Sequence, residues 1–326
     1  MSLISCIKSF PVVVIKRCFF LFLCLLSVNL VVAQNDTTYQ KGYILVINAY
    51  TEATSWSSRM ISTITRFVAE DPQLAVYTEH MNMMLIDDDA ADLEEFKSAL
   101  FERYGAYPPR LLLLLGDPAL LLKEDFKRVW GDIPMVLCAE KDYTGPDEYY
   151  LHKEVIPQAE RIPMTELADP YNLVLLYSDL YIRKNVELIS QMTPDMKMKK
   201  FIFIGDERFI NVTNEAEVRE IIRKKYPHVE YEYLSPQILP INLLIDSLYR
   251  VDAKTTGILF SSWYYKRTFA GNTSLVTNAY KVITTVSAPL FVLNTVGVTT
   301  DGGMVGGYVH SAFYHYDDCP TDVLHL

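Results

Sequence analysis

Five consecutive leucines, Leu111–Leu115, leave no polar residue on either alternating position of the run. Successive side chains of a strand point to opposite faces, so such a strand has to be covered on both sides. That requirement points to a parallel sheet between two layers of helices, and the neighbouring segments agree with it. Tyr43–Asn48 is a second apolar run, Ala75–Met81 a weaker one, and Ile133–Leu137 a fourth. Between them lie helical patterns. Ser55–Ala69 carries Trp56, Met60, Ile61, Ile64, Phe67 and Val68 at helical spacing, and Asp89–Tyr104 is a second helix with Asp88 or Asp89 as its cap. The order is strand, helix, strand, helix, strand, helix, strand, which predicts an α/β layer architecture.

From Glu140 to Pro170 the rhythm stops. Pro146, Pro157, Pro163 and Pro170 interrupt a charged stretch without period, read as an excursion on the surface or near a cleft. The pattern then restarts, with a long helix over Leu173–Met192 and strands at Phe201–Ile204, Val229–Tyr233, Gly257–Phe260 and Pro289–Leu293. Helices are expected at Asn214–Lys225, Ile241–Arg250 and Thr273–Val286. The second half therefore repeats the first. Leu113-Leu-Leu-Gly-Asp-Pro and Ile202-Phe-Ile-Gly-Asp-Glu echo one another, each a buried strand running into Gly-Asp, where Gly permits a tight turn and Asp can cap the next helix.

The amino terminus has a different character. Lys16 and Arg17 precede an apolar run that ends at Val31-Val32-Ala33, followed by polar residues. A basic flank, a short apolar core and small residues before the break describe a secretory leader, with cleavage expected near Ala33. The run after Arg17, about 16 residues, falls short of the ~20 that a spanning helix needs. Three of the five cysteines lie in this leader, leaving Cys138 and Cys319, which an oxidising compartment could join; Cys138 ends an apolar run and reads as a buried core thiol. The formal charge is −10, and removal of Lys8, Lys16 and Arg17 with the leader takes it to −13. Such a surface repels phosphate backbones and anionic headgroups, which argues against nucleic acid as a partner. A membrane contact is expected only through the leader or a region beyond this chain.

No G-x-S-x-G, phosphate-loop, H-E-x-x-H or G-x-G-x-x-G pattern occurs, and no cofactor is expected. His310 and His315 beside Asp317 and Asp318 read as a polar tail rather than a metal site, and Asp87–Asp89 as a negative helix start. Open parallel sheets bind ligands beyond the carboxyl ends of their strands. That rule selects Tyr50, Glu52 and Trp56 after the first strand and Asp117 after the third. In the second half it selects Asp206, then Ser261, Ser262, Trp263 and Tyr264, and finally Asn294. Serines beside Trp263 and Tyr264 offer hydrogen bonds and a stacking face, the composition of a small-molecule pocket. Each of the aromatic positions has a second reading as core packing.

Taken together, Ile44-Leu-Val-Ile-Asn-Ala-Tyr, Leu114-Leu-Gly-Asp, Ile133-Pro-Met-Val, Phe203-Ile-Gly-Asp, Ala288-Pro-Leu-Phe and Met304-Val-Gly-Gly-Tyr-Val-His-Ser resemble a type I periplasmic binding protein of the ABC-transporter substrate-binding kind. More narrowly, they resemble the version found as the N-terminal sensor domain of bacterial membrane sensor histidine kinases. The resemblance spans about residues 42–312 and implies two Rossmann-like lobes with parallel sheets and a ligand cleft between them. The expected layout is a leader (1–33), an N-terminal lobe (34–145), a crossover (146–170) and a C-terminal lobe (171–294). A return segment follows (295–326), in which Gly302–Ser311 would run as a strand toward the first lobe. Relative to that pattern the chain reads as C-terminally truncated. The implied function is extracytoplasmic sensing of a sugar, an amino acid or an aromatic metabolite by cleft closure, with a homodimer implied by the paired lobes of such sensors. The alternative is a free solute-binding protein for a transporter, and an exported hydrolase is the third reading.

Overall fold

In the computed structural model, residues 42–309 are described apart from 72, 87–89, 178, 194–196, 270–271, 277–282, 287, 294–297 and 299–302. The chain opens with β1 (Gly42–Asn48), α1 (Ser55–Val68), β2 (Leu74–His80), α2 (Ala91–Tyr104) and β3 (Leu111–Leu115). A 3-10 turn (Asp117–Leu122) leads into α3 (Lys123–Trp130) and β4 (Met135–Ala139). Short elements follow: β5 (Tyr143–Thr144), α4 (Asp147–Leu151), β6 (Ile162–Pro163) and then β7 (Leu173–Tyr177). The second half runs α5 (Ile182–Met192), β8 (Lys200–Ile204), α6 (Phe209–Lys225), β9 (Glu230–Leu234), α7 (Ile241–Tyr249) and β10 (Thr256–Phe260). It continues through β11 (Tyr265–Phe269), β12 (Asn272–Val276) and β13 (Phe291–Val292).

Two parallel sheets result, ordered β2-β1-β3-β4-β7 and β13-β10-β8-β9. The leucine run behaves as its composition demands. Leu112 and Leu114 pack into one apolar cluster and Leu113 and Leu115 into another, one on each face of the sheet. The second sheet divides likewise, with Ile202 and Ile204 on one side and Phe201 and Phe203 on the other. Burying one such side chain contributes about 1.5–3 kcal/mol, so both sheets are anchored from two sides. The fold is α/β, with two Rossmann-like lobes built on parallel sheets.

Counted in chain order, both sheets place their strands second-first-third-fourth, so the repeat of layout holds. The Gly-Asp echo does not mark it. Asp117 follows β3, the third strand of its sheet, whereas Asp206 follows β8, the first of its own. Neither aspartate caps a helix through its side chain; the residues at the helix starts are Gly116 and Arg208. Their carboxylates are used elsewhere, as described below.

Several expected elements change. Leu173–Tyr177 is a strand rather than the first turns of a long helix, and it pairs with β4, so the first sheet extends past residue 145 to Tyr177. A short run of Leu, Val and Tyr fits either period, and the left-handed backbone of Tyr181 (φ 51°) breaks any helix continuing through it. Residues 273–276, expected as helix, form β12, antiparallel to β11 with Phe269 opposite Asn272. The 140–170 stretch is not simply superficial. Tyr150, Ile156 and Met164 are buried in the first lobe's core. Residues 303–309, the described part of the glycine-rich segment near the end, add to the second lobe instead of returning to the first. The Val292 amide donates to Gly306 O (2.9 Å) and the Val305 amide to Leu290 O (2.9 Å), while Asn185 on α5 is bonded to both backbone groups of Tyr308. Cys138 is a free, buried thiol whose pKa burial pushes up to about 12; Cys319 lies outside the described residues. Asn294, Asp87–Asp89, His310 and His315 also lie outside them.

Candidate functional site

In the first lobe the chain leaves β1 to build β2 on one side, then passes back to build β3 and β4 on the other. The connections therefore diverge between β1 and β3, which opens a crevice above their carboxyl ends. In the second lobe the same reversal lies between β8 and β10. The residues following these four strands are Ala49-Tyr50, Gly116-Asp117, Gly205-Asp206 and Ser261-Ser262. Six of the sequence-selected residues sit at or beside these ends, and the two lobes meet there.

The second lobe's part is a closed polar network. Asp206 is fully buried. Its carboxylate accepts from Arg208 Nε (2.9 Å), Arg208 Nη2 (3.1 Å), Asn211 Nδ2 (2.6 Å), Ser262 Oγ (2.7 Å) and the backbone amides of Arg208 (3.2 Å) and Tyr264 (3.1 Å). Asn211 also donates to Ser262 Oγ (2.7 Å) and accepts from Ser261 Oγ (2.5 Å). Burial alone would raise the Asp206 pKa, but the Arg208 guanidinium, Ser262 and Asn211 hold it below the usual range. Burial would likewise lower the Arg208 pKa, and Asp206 keeps it raised. The pair is ionised and bidentate, the strong form of such a contact.

Arg208 reaches across to the first lobe. Its guanidinium carbon lies 4.3 Å from the centre of the Tyr264 ring and 5.7 Å from that of Tyr50. Tyr50 is buried and donates its hydroxyl to Glu140. The Glu140 amide in turn donates to Asp117 Oδ1 (2.9 Å), while Asp117 Oδ2, wholly buried, makes no hydrogen bond. Burial, then the nearby Glu140 charge, raises the Asp117 pKa well above its ordinary value, and burial raises Glu140 as well. Burial and these two acids raise Tyr50. Gly116 has φ +90°, and a Cβ there would meet the Tyr50 ring at 2.8 Å, so this position requires glycine for both its backbone and its neighbour.

Further contacts join the lobes. Lys141, which follows β4, pairs with Glu217 on α6 at 3.1 Å. Phe209, the first residue of α6, is buried in the first lobe's apolar cluster with its ring 4.6 Å from that of Tyr150.

The sequence-selected residues thus divide. Tyr50, Asp117, Asp206, Ser261, Ser262 and Tyr264 converge. Trp56 stands edge-on to Tyr50 at 6.3 Å while packing in the core below α1. Glu52 is exposed, and its carbonyl accepts the Ser58 hydroxyl. Trp263 is a core residue of the second lobe, only 2 % exposed, with its indole N–H unpartnered; it does not join the polar cluster. Glu140, Lys141, Arg208, Phe209 and Asn211 were missed as individual residues. Glu140 and Lys141 follow β4 and Arg208 lies four residues past β8, within the strand-end segments 139–143 and 205–208 that the same rule marks without singling these residues out. Among the described residues no group of three or more His, Cys, Asp or Glu is placed to hold a metal ion, and no helix is long and apolar enough to cross a membrane.

No protein-family model matches the chain, and no curated protein matches it. Solved structures similar to it include a carbohydrate transporter solute-binding protein from Agrobacterium radiobacter in complex with D-arabinose. That likeness has 12 % identity and TM-score 0.47, covering 82 % of each chain. Another is an ABC domain in complex with L-Trp from Streptococcus pneumonia, at 12 % identity and TM-score 0.44, covering 83 % of this chain and 79 % of the other. A third is the TorS sensor domain–TorT complex in the absence of ligand, at 8 % identity and TM-score 0.44, covering 78 % and 74 %. At these identities and scores, the geometry of the site itself carries the functional reading.

Proposed function

We propose that this chain is an exported small-molecule-binding protein whose two lobes close on a ligand between the β1/β3 ends and the β8/β10 ends, and that it serves as the sensing part of a membrane signalling protein. One observation carries the binding reading. Buried, charged side chains from both lobes converge where each sheet's connections diverge, and Arg208 of the second lobe lies against Tyr50 of the first. A protein that needs only stability has little reason to bury Asp117 and the Asp206–Arg208 ion pair at one seam, because burying charge costs several kcal/mol per ion, of the order given by continuum treatments. Perturbed, convergent groups of this kind mark functional sites. The leader-like first 33 residues support export. The sensing role rests on the sequence resemblance, and a solute-binding role would use the same site.

Closure follows from population shift, since a ligand touching both lobes favours the state in which both reach it by its differential affinity. The test is a thermal-shift screen of the full chain against sugars, amino acids and aromatic metabolites, followed by small-angle scattering with each hit. A ligand of the closing kind raises the melting temperature with its concentration and reduces the radius of gyration. A hit whose binding survives both Arg208→Met and Ser262→Ala would place the site elsewhere.

A further inference from the structure

The two lobes bring unequal chemistry to their meeting point. On the second lobe every strong group is already committed, with the Asp206 carboxylate accepting from three side chains and two amides and Arg208 spent on Asp206. Lys141 is paired with Glu217. The first lobe is left with two acids and few donors. Glu140 takes the Tyr50 hydroxyl, Asp117 takes the Glu140 amide, and Asp117 Oδ2 is fully buried with no partner. A buried carboxylate oxygen without a donor is costly and rare in native proteins.

Around this acid pair the walls are aromatic. Tyr50 donates its hydroxyl to Glu140, and its ring lies against Gly116, the residue before Asp117. The faces of Tyr50 and Tyr264 already lie beside a cation, the Arg208 guanidinium. An anionic ligand group would add a third acid beside two whose ionisation burial already opposes, and a neutral hydroxyl would satisfy one oxygen without supplying charge to offset that burial. Resting on the binding function proposed above, we infer that the ligand presents a protonated amine to the first lobe, seated on Asp117 and Glu140 and flanked by tyrosine rings. An ammonium supplies three donors on a compact positive charge, which matches an unpartnered carboxylate oxygen and ring faces that attract cations.

The test measures melting of the full chain with phenethylamine, 1,5-diaminopentane and L-arginine methyl ester, beside the anions 3-phenylpropionate and glutarate and the neutral D-glucose. The expected result is a concentration-dependent rise with at least one amine and none with the anions. In Asp117→Asn, whose folding is checked by circular dichroism, that amine binds roughly thirtyfold more weakly, as when one partner of a buried charge pair is removed. In Glu140→Gln it also weakens. No shift from any amine, or an amine shift that Asp117→Asn retains in full, overturns the inference. A shift from glucose or an anion that Ser262→Ala abolishes overturns the amine reading and leaves the ligand-binding reading standing.

Discussion

Phe209→Ala tests how the two lobes are held together. The side chain belongs by sequence to α6 of the second lobe, yet it is 4 % exposed within the first lobe's cluster, against Tyr150. Removing a buried Phe side chain costs about 3–5 kcal/mol through lost transfer energy and the cavity left behind. The ring pair with Tyr150, tilted at 54°, accounts for about 0.5–1.5 kcal/mol of that by the usual size of aromatic pairs. The rest is apolar burial and cavity. Against a typical total of ~5–15 kcal/mol, this is a large share lost at one position. It is also lost at a position that couples the lobes, beside two polar links: the Arg208–Tyr50 contact and the Lys141–Glu217 pair, which is half exposed on its acidic side and therefore weak. Urea unfolding of the full chain, followed by tryptophan fluorescence, reads both effects. Trp56 and Trp130 pack in the first lobe and Trp263 in the second, so a Trp263→Phe variant reports on the first lobe and a Trp56→Phe/Trp130→Phe variant on the second. The expected result is a midpoint shift worth about 3–5 kcal/mol and transitions that cease to coincide between the two probes. A cost under about 1 kcal/mol, with coincident transitions, would refute the argument that Phe209 is a packed joint.

Trp263→Ala is expected to cost about 3–5 kcal/mol of stability, measured by the same unfolding experiment, because this indole is core rather than ligand contact. Asp117→Asn should be more stable than the natural chain at neutral pH, with the difference shrinking toward pH ~4. The sign follows because a carboxyl whose folded pKa is raised takes up protons on folding, so its penalty grows as pH rises through that pKa. Asp206→Asn should act in the opposite sense, since its lowered pKa gives stability that is present above ~4 and is lost as pH falls through the folded value. Melting temperatures across pH 3–8, on the order of the range in which these acids titrate, check both. Iodoacetamide should leave Cys138 unmodified in the folded chain and label it on unfolding, as read by peptide mass spectrometry, because the thiol is buried and its pKa stands near 12.

The apolar runs specified most of both sheets. Leu111–Leu115 and Phe201–Ile204 are too uniformly apolar to lie anywhere but between two layers, so their strands were legible from composition and length. Leu173–Tyr177 was not, because an edge strand half covered by neighbours has the same residues as one face of a helix, and only its pairing with β4 decides. β12 was obscured in the same way. The strand-end rule selected Tyr50, Asp117, Asp206, Ser262 and Tyr264, which converge, because strand ends are a matter of chain order. It could not separate Trp263 from Tyr264, adjacent residues of which one turns into the core and the other out beneath Arg208. Glu140 and Arg208 gain their meaning from partners 90 and 54 residues away in the chain, Tyr50 and Ser262, which no local pattern encodes.

The described sheets exchange no strand, the first drawing on residues 42–177 and the second beginning only at residue 200. A chain made from its amino terminus has all five strands of the first sheet in hand before any strand of the second exists. Domains fold as units during synthesis, so the first lobe is able to assemble alone. Its interior is then missing one piece, since the ring that abuts Tyr150 arrives with Phe209, 32 residues after Tyr177. Until that ring docks, the nascent lobe shows an apolar hollow to its surroundings, and it is at this stage of its life that a holdase has something to grip.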